Sequence, residues 1–357
     1  MAIIVGFPGN NPLLQGTTLD DEIFGNSLGT VTFTAGNDRI FGLAGDDVIA
    51  GDGLDIAPNG RGGNDLIQGG DGNDNVYGDA RETLYGVGGN DTLYQNGGSG
   101  EMVGDAGEIA AGGRGGNDRL YGEGLLIGDA YDSMVSATGG RDLLDATGAT
   151  DGTSLAGDSY INLEGSSRGG NDTLLGSGFD DILAGDADDY LENAARGGND
   201  RLNGNGGDDL IYADGEEMYD SSTGGDDVLR GGSGDDEMYG DAKFLHDFAV
   251  AGNDRLFAGS GNDEIWGDGE LVGPDATGGQ DKFFFSGNFG DDSIFDFRQE
   301  DGDQIVLQGL TQLDVQLSII TVTDPNDSTL ITTLGDDSIT LVGFTGGLTP
   351  GVDIVFA

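Results

Sequence analysis

The sequence predicts an all-β fold: a right-handed parallel β-roll, that is, a β-solenoid of about ten 27-residue coils closed by a C-terminal β cap. Three observations predict it. The pattern Gly-x-Asp-x-apolar recurs at nine-residue spacing, a longer period averaging about 27 residues sits on top of it, and glycine fills 72 of 357 positions, concentrated where tight turns would need it. Self-similarity at a fixed period marks a chain whose units cannot bury an apolar face alone and do so by stacking.

The short unit is clearest in GGDGNDNVY, where Asp74 is followed two residues later by Val76. Its glycines permit the positive φ of a tight turn, and its last three residues form a short strand with the apolar one pointing inward. Pairs of such turns fall at Asp38 and Asp47, Asp65 and Asp74, Asp172 and Asp181, Asp200 and Asp209, Asp227 and Asp236, and Asp254 and Asp263. The first Asp of each long unit continues through Asp91, Asp118, Asp142 and Asp281. A third signal, Gly-Asp-Ala/Gly, brings Asp52, Asp79, Asp105, Asp129, Asp158, Asp186, Asp241 and Asp268. Residues 122–168 are irregular: GEGLLIGDA lacks a second Asp turn, and Asp151 has Thr153 where an apolar residue belongs.

The inward positions are Ile40, Ile49, Ile67, Leu93, Leu120, Leu174, Leu183, Leu202, Ile211, Leu229, Leu256 and Ile265. They are expected to stack as facing ladders between parallel sheets, each coil about 4.8 Å above the last. One reading of the long unit is a coil of two strands whose second turn is lengthened around Gly-Asp-Ala. A three-faced helix is the alternative.

Charge sets the function class. There are 66 Asp plus Glu against 14 Lys plus Arg, a net charge of −52, so the chain repels itself and offers no basic footprint for nucleic acid. The 36% of hydrophobic residues, regularly placed, form a core once the charge is neutralised. Stacked turns hold equal carboxylates about 4.8 Å apart, which is unfavourable unless cations intervene. With no Cys, the abundant ligands are hard oxygens, and those suit calcium, which takes 6–8 of them. The opening MAIIVGFPGNNPLLQ has no basic leader and too short an apolar run for a signal-peptide core or a transmembrane segment, so export is expected by another route.

At these residues the chain resembles the RTX (hemolysin-type) family, whose nonapeptide is matched fully by GGDGNDNVY and GGSGDDEMY and closely by RGGND plus a Leu strand elsewhere. The resemblance runs from about Asp21 to Asp281. It implies that the turn aspartates bind multiple Ca2+ and that the protein folds after export. The Gly-Asp-Ala turns depart from the family pattern, so Asp52, Asp79, Asp105, Asp186, Asp241 and Asp268 are either ligands or turn caps facing solvent.

From Lys282 the glycine repeat gives way to KFFF, SIFDF, DQIVL, QLSIITVT, TLITTL and SITLVGF, read as a β cap. SIFDFRQEDGDQIVL resembles the segment that closes RTX rolls in type I secretion substrates, and Asp353-Ile354-Val355-Phe356-Ala357 resembles their acidic-then-apolar terminus. That resemblance implies the type I secretion apparatus as a partner. The terminal residues read equally as a last strand. The expected organisation is an N-terminal cap and first degenerate repeat over 1–32, the calcium-binding roll over 33–281, and the cap with a secretion signal over 282–357.

No enzyme is expected. The single His246, in KFLHDF beside Asp247, has no nucleophile or metal partner in sequence, and paired carboxylates are too common to mark a hydrolase. Arg61, Arg114, Arg168 and Arg196, each before Gly-Gly, are read as neutralising nearby carboxylates rather than recognising an anionic glycan. Tyr131, Tyr160, Tyr190, Tyr219 and Phe244 show no regular platform by spacing. The function expected is a secreted calcium-binding repeat protein with a structural or cell-surface role. The alternative is a calcium-dependent adhesin or carbohydrate-binding module that meets a cell-surface glycan through its variable loops.

Overall fold

The computed structural model describes residues 1–7, 9, 13–311, 315–320, 328–333, 337–344 and 346–357. Every described element is a strand, and nearly all pair in parallel with the equivalent strand one coil away. One coil reads Arg39–Ala44, Val48–Ala50, Gly53–Ile56, and the next repeats it as Leu66–Asp71, Asn75–Tyr77, Ala80–Leu84. Each of these three strands joins a different sheet, of 13, 15 and 10 strands respectively. The coil is therefore three-faced. The residues read as a lengthened turn form a strand because they carry their own inward apolar positions, one per coil.

Those positions build two cores. The first lies between the 13- and 15-stranded faces, with Ile40 opposite Ile49, Leu120 near Leu126, Leu202 near Ile211, and Leu256 near Ile265, all essentially inaccessible to solvent. Every inward residue expected from the repeat is part of it. The irregular stretch keeps its strands: Leu126 pairs with Leu155, and Leu144 with Leu174, so loss of an Asp turn does not interrupt the core. The second core lies under the 10-stranded face. It holds one large residue per coil, among them Ile56, Leu84, Ile109, Leu163 and Met218, and small ones such as Ala80, Ala106 and Ala187 from the Gly-Asp-Ala signal. Only small residues occupy that position, with Gly53, Ser159 and Gly215 standing in for alanine in other coils, because the chain turns a corner and its neighbours approach closely.

Stacking at coil spacing also dictates glycine. A Cβ on Gly89 would run into the carbonyl oxygen of Gly63 in the coil before it, and Gly70, at φ +122°, takes the left-handed turn that a side chain resists.

At the C-terminal end the third face stops at Leu271–Val272, while the other two continue. Lys282–Ser286 extends the 13-stranded sheet and is followed there by Gln304–Gln308 and Ile354–Phe356. Ser338–Leu341 extends the other sheet and turns antiparallel into Ser328–Thr333 and Val315–Ile320. Residues 321–323 and 334 of the expected apolar runs lie outside the described residues. Phe283, Phe285, Phe289, Phe297, Ile305 and Leu307 are buried against the last coil.

Two outcomes follow. Leu202→Ala should destabilise the calcium-loaded protein by about 2–5 kcal/mol in denaturant titration, the cost of a buried cavity. Deleting residues 282–357 should leave the roll unable to fold at calcium concentrations that fold the intact chain, because it uncovers the apolar cross-section at Leu256 and Ile265. A monomeric truncated product with an unchanged calcium midpoint in circular dichroism would refute the cap.

Candidate metal centre

Three files of aspartate run along the rod, one at each corner of the coil. The first, where the chain passes from the third face into the 13-stranded one, consists of Asp38, Asp65, Asp91, Asp118, Asp142, Asp172, Asp200, Asp227, Asp254 and Asp281, all at most 3% exposed. In each step the Asp backbone N–H donates to Oδ1 of the next Asp in the file, at 2.5 to 2.9 Å. Asp281 donates in the same way to Asp303 at 3.0 Å. One oxygen of each carboxylate is thus held by the neighbouring coil. The other, Oδ2, is buried and without a partner at Asp65, Asp91, Asp118, Asp142, Asp172, Asp200, Asp227 and Asp254.

The second file is the Gly-Asp-Ala row: Asp52, Asp79, Asp105, Asp129, Asp158, Asp186, Asp214, Asp241 and Asp268. These carboxylates do not face solvent. Each accepts the N–H of the second residue in the following turn, a Gly-Gly in every case but Ala251-Gly252, from Gly63 to Asp52 at 2.8 Å through Gly279 to Asp268 at 2.5 Å. Among them Asp79, Asp105, Asp129, Asp186, Asp214 and Asp241 also keep one buried oxygen without a partner. These glycine contacts draw the two corners together, so the coil is waisted between its two cores and the two files interleave in chain order. Oxygens of Asp38, Asp52 and Asp65 lie within 4.8 Å of one another, as do those of Asp105, Asp118 and Asp129.

The third file lies at the opposite corner and holds Asp21, Asp47, Asp74, Asp181, Asp209, Asp236, Asp263 and Asp292. It uses the same bond, as from Asp47 N–H to Asp74 Oδ1 at 2.9 Å and from Asp236 N–H to Asp263 Oδ1 at 2.9 Å. It is interrupted where Gly100, Gly124 and Thr153 take the Asp position, the irregular stretch of the sequence.

A buried carboxylate with no partner is costly, which is the property a cation site needs. Burial pushes these groups up first, with neighbouring aspartates adding in most cases: Asp47, Asp79 and Asp263 to about 6, Asp129 to about 7, and Asp236 to about 8. Oxygen-only donors, paired carboxylates and a repeat at coil spacing fit calcium.

Repeat counting missed Asp214, Asp21, Asp292 and Asp303. Asp214 was legible, since it stands in Ala-Asp-Gly midway between Asp186 and Asp241. The others lie where the repeat is degenerate. The remaining expectations divide. Arg61, Arg114, Arg168 and Arg196 are exposed on the bridges between the third and 13-stranded faces, and the described ion pairs form instead at Arg81, Lys243, His246 and Arg298. Among the described residues none of these four arginines forms an ion pair. Some of these aromatics, half-buried rather than exposed, do align: Tyr131 stacks on Tyr160, and Tyr190 meets Tyr219, which stacks on His246 with centroids 4.1 Å apart. Variable coil lengths hide that alignment in the sequence. His246 Nε2 also lies 2.7 Å from Glu217 Oε2, which accounts for this side chain structurally.

Comparison with known proteins agrees with the geometry. Residues 34–54, 59–80, 167–189, 194–216, 221–242 and 248–270 match the RTX calcium-binding nonapeptide repeat (4 copies). No curated protein matches the chain. Among solved structures, the crystal structure of extracellular lipase LipA from Serratia marcescens is 18% identical, with TM-score 0.20, over 58% of this chain and 45% of that one. The chain thus spans less than half the length of that structure.

The raised carboxyls carry a pH consequence. A folded-state value above the unfolded one, near 3.8, means that the calcium-free fold is most stable below that value and loses stability as pH rises through about 6 to 8. In chelator, circular dichroism should therefore show more β structure at pH 5 than at pH 8. In calcium the trend reverses, because protons compete for the same oxygens. Equal disorder at both pH values in chelator would contradict this.

Proposed function

We propose that this chain, a carrier of RTX calcium-binding nonapeptide repeats, is a secreted protein that folds when calcium fills its aspartate files outside the cell, and that it serves a structural or cell-surface role. The observation that carries this reading is the run of buried carboxylate oxygens without partners along both inner files. In a cell interior poor in free calcium those oxygens would stay charged and mutually repulsive, keeping the chain extended. Extracellular calcium supplies the bridging charge, and its binding free energy becomes folding free energy. The ligands in this reading are the aspartates of all three files. The type I secretion apparatus is the proposed exporter. The acidic-then-apolar terminus is built into the fold, with Ile354–Phe356 paired to Ile305–Leu307 and Asp353 accepting the Thr349 N–H, an arrangement compatible with reading that address before folding.

The test is a calcium titration. The chain should be largely unstructured in chelator and β-rich in millimolar calcium, with midpoints of about 10⁻⁴–10⁻³ M as in extracellular modules. Magnesium at equal concentration should substitute poorly, since it demands smaller octahedral geometry and dehydrates reluctantly. The same β spectrum in excess chelator at neutral pH would overturn the reading.

A further inference from the structure

The two inner files end differently from the way they run. Along their length every carboxylate but Asp158, whose two oxygens share the Gly170 N–H, keeps a buried oxygen with no protein partner, and no such oxygen is found at Asp38 and Asp52 at one end or at Asp268 and Asp281 at the other. At the N-terminal end the position one coil before Asp52 is Asn26, 3% exposed, whose Nδ2 donates to Asp38 Oδ2 at 3.0 Å and to Asp52 Oδ1 at 2.7 Å. At the C-terminal end, Arg298 Nη1 lies 2.8 Å from Asp268 Oδ2 and 3.7 Å from Asp301 Oδ2. In register, Phe297 falls one coil after Asp268, and the carboxylate of Asp296 beside it is taken up by the N–H groups of Gly267, Asp268 and Gly269. In the regular coils the first glycine of a Gly-Gly turn lies against two successive carboxylates of the Gly-Asp-Ala file, as Gly224 does against Asp214 and Asp241. At Gly278 the neighbours are Asp268, the Arg298 guanidinium and, further off, Asp301, whose carboxylate the same guanidinium faces. A fixed donor stands against the last carboxylate of the file at each end: the Asn26 amide at Asp52 and the Arg298 guanidinium at Asp268.

We propose that the interleaved inner files hold a single continuous line of calcium ions, shared between the nonapeptide turn and the Gly-Asp-Ala corner, and that Asn26 and Arg298 are its built-in terminators, each supplying N–H donors where a further ion would otherwise be bound. This rests on the calcium reading above. The physical reason for ending the line in this way is that the last carboxylate of an ion file faces an incomplete shell. A neutral amide between Asp38 and Asp52, or a guanidinium against Asp268, satisfies the oxygen without an ion that would have to be coordinated half by water. Arg298 also ties the C-terminal segment to the roll, so the terminator and the cap are one device.

The test counts calcium per chain by elemental mass spectrometry of the full-length protein after gel filtration in calcium-limited buffer. Asn26→Asp places a third carboxylate beside Asp38 and Asp52, and Arg298→Gln frees Asp268. Each should bind one more calcium ion than the natural protein, whereas Asn37→Asp, on an exposed edge outside the file, should leave the count unchanged. Asp214→Asn, in the middle of the line, should lower it. Should an end variant fail to fold, Asp214→Asn and the other end still decide. Unchanged counts in both end variants, or an undiminished count in Asp214→Asn, would overturn the terminated line while leaving calcium binding intact. A natural protein that retains no calcium would instead overturn the reading on which it rests.

Discussion

The constraint on which the rest of this structure depends is repulsion between identical carboxylates held one coil apart. Parallel stacking puts every Asp of a turn next to its own copies, and at about 4.8 Å that costs free energy unless something positive sits between them. The backbone answers half of the problem. Each Asp N–H in the first file reaches the Oδ1 of the next coil, so one oxygen per carboxylate is satisfied by the stacking itself. The remaining oxygen is left buried and bare from Asp65 to Asp254, which is where a cation would have to sit to offset the repulsion. Coil geometry, glycine content and the arrangement of carboxylates are therefore one fact seen three ways.

The waist in the coil follows from the same constraint. Two corners carrying Asp are pulled together by glycine N–H groups, and apolar side chains are excluded from between them. What remains is a polar spine with a hydrophobic ladder on either side, the larger built from Ile and Leu and the smaller from one large residue and alanines. Neither core has to tolerate a carboxylate. Interrupting the outer file at Gly100, Gly124 and Thr153 is correspondingly mild, because that corner borders only one core and Leu126 and Leu155 still pair. The inner spine has no such gap.

Much of this was legible in the sequence because a period leaves marks that composition cannot. The inward Ile and Leu positions, the parallel stacking, the coil length and the aspartates of the nonapeptide turns all follow from glycine and apolar spacing, since a strand of three residues between obligatory turns has one way to face. The oxygen-only donor set follows from the residue inventory. So does calcium as the cation, given carboxylates at that density.

What only the tertiary structure decided is what lies at longer range than one coil's own turn. That the segment after Gly-Asp-Ala is a third face, and that Asp52 and its equivalents are buried rather than solvent-facing, depends on two corners distant in sequence meeting across the waist. A pattern along the chain does not reveal that meeting. Arg298 against Asp268 and Tyr219 against His246 are of the same kind, pairings between coils whose lengths vary enough to hide the register. The sequence alone determined the repeat and the charge that must be neutralised, because both are local. The fold decided which carboxylates come within reach of a common cation, because that is set by distances between coils.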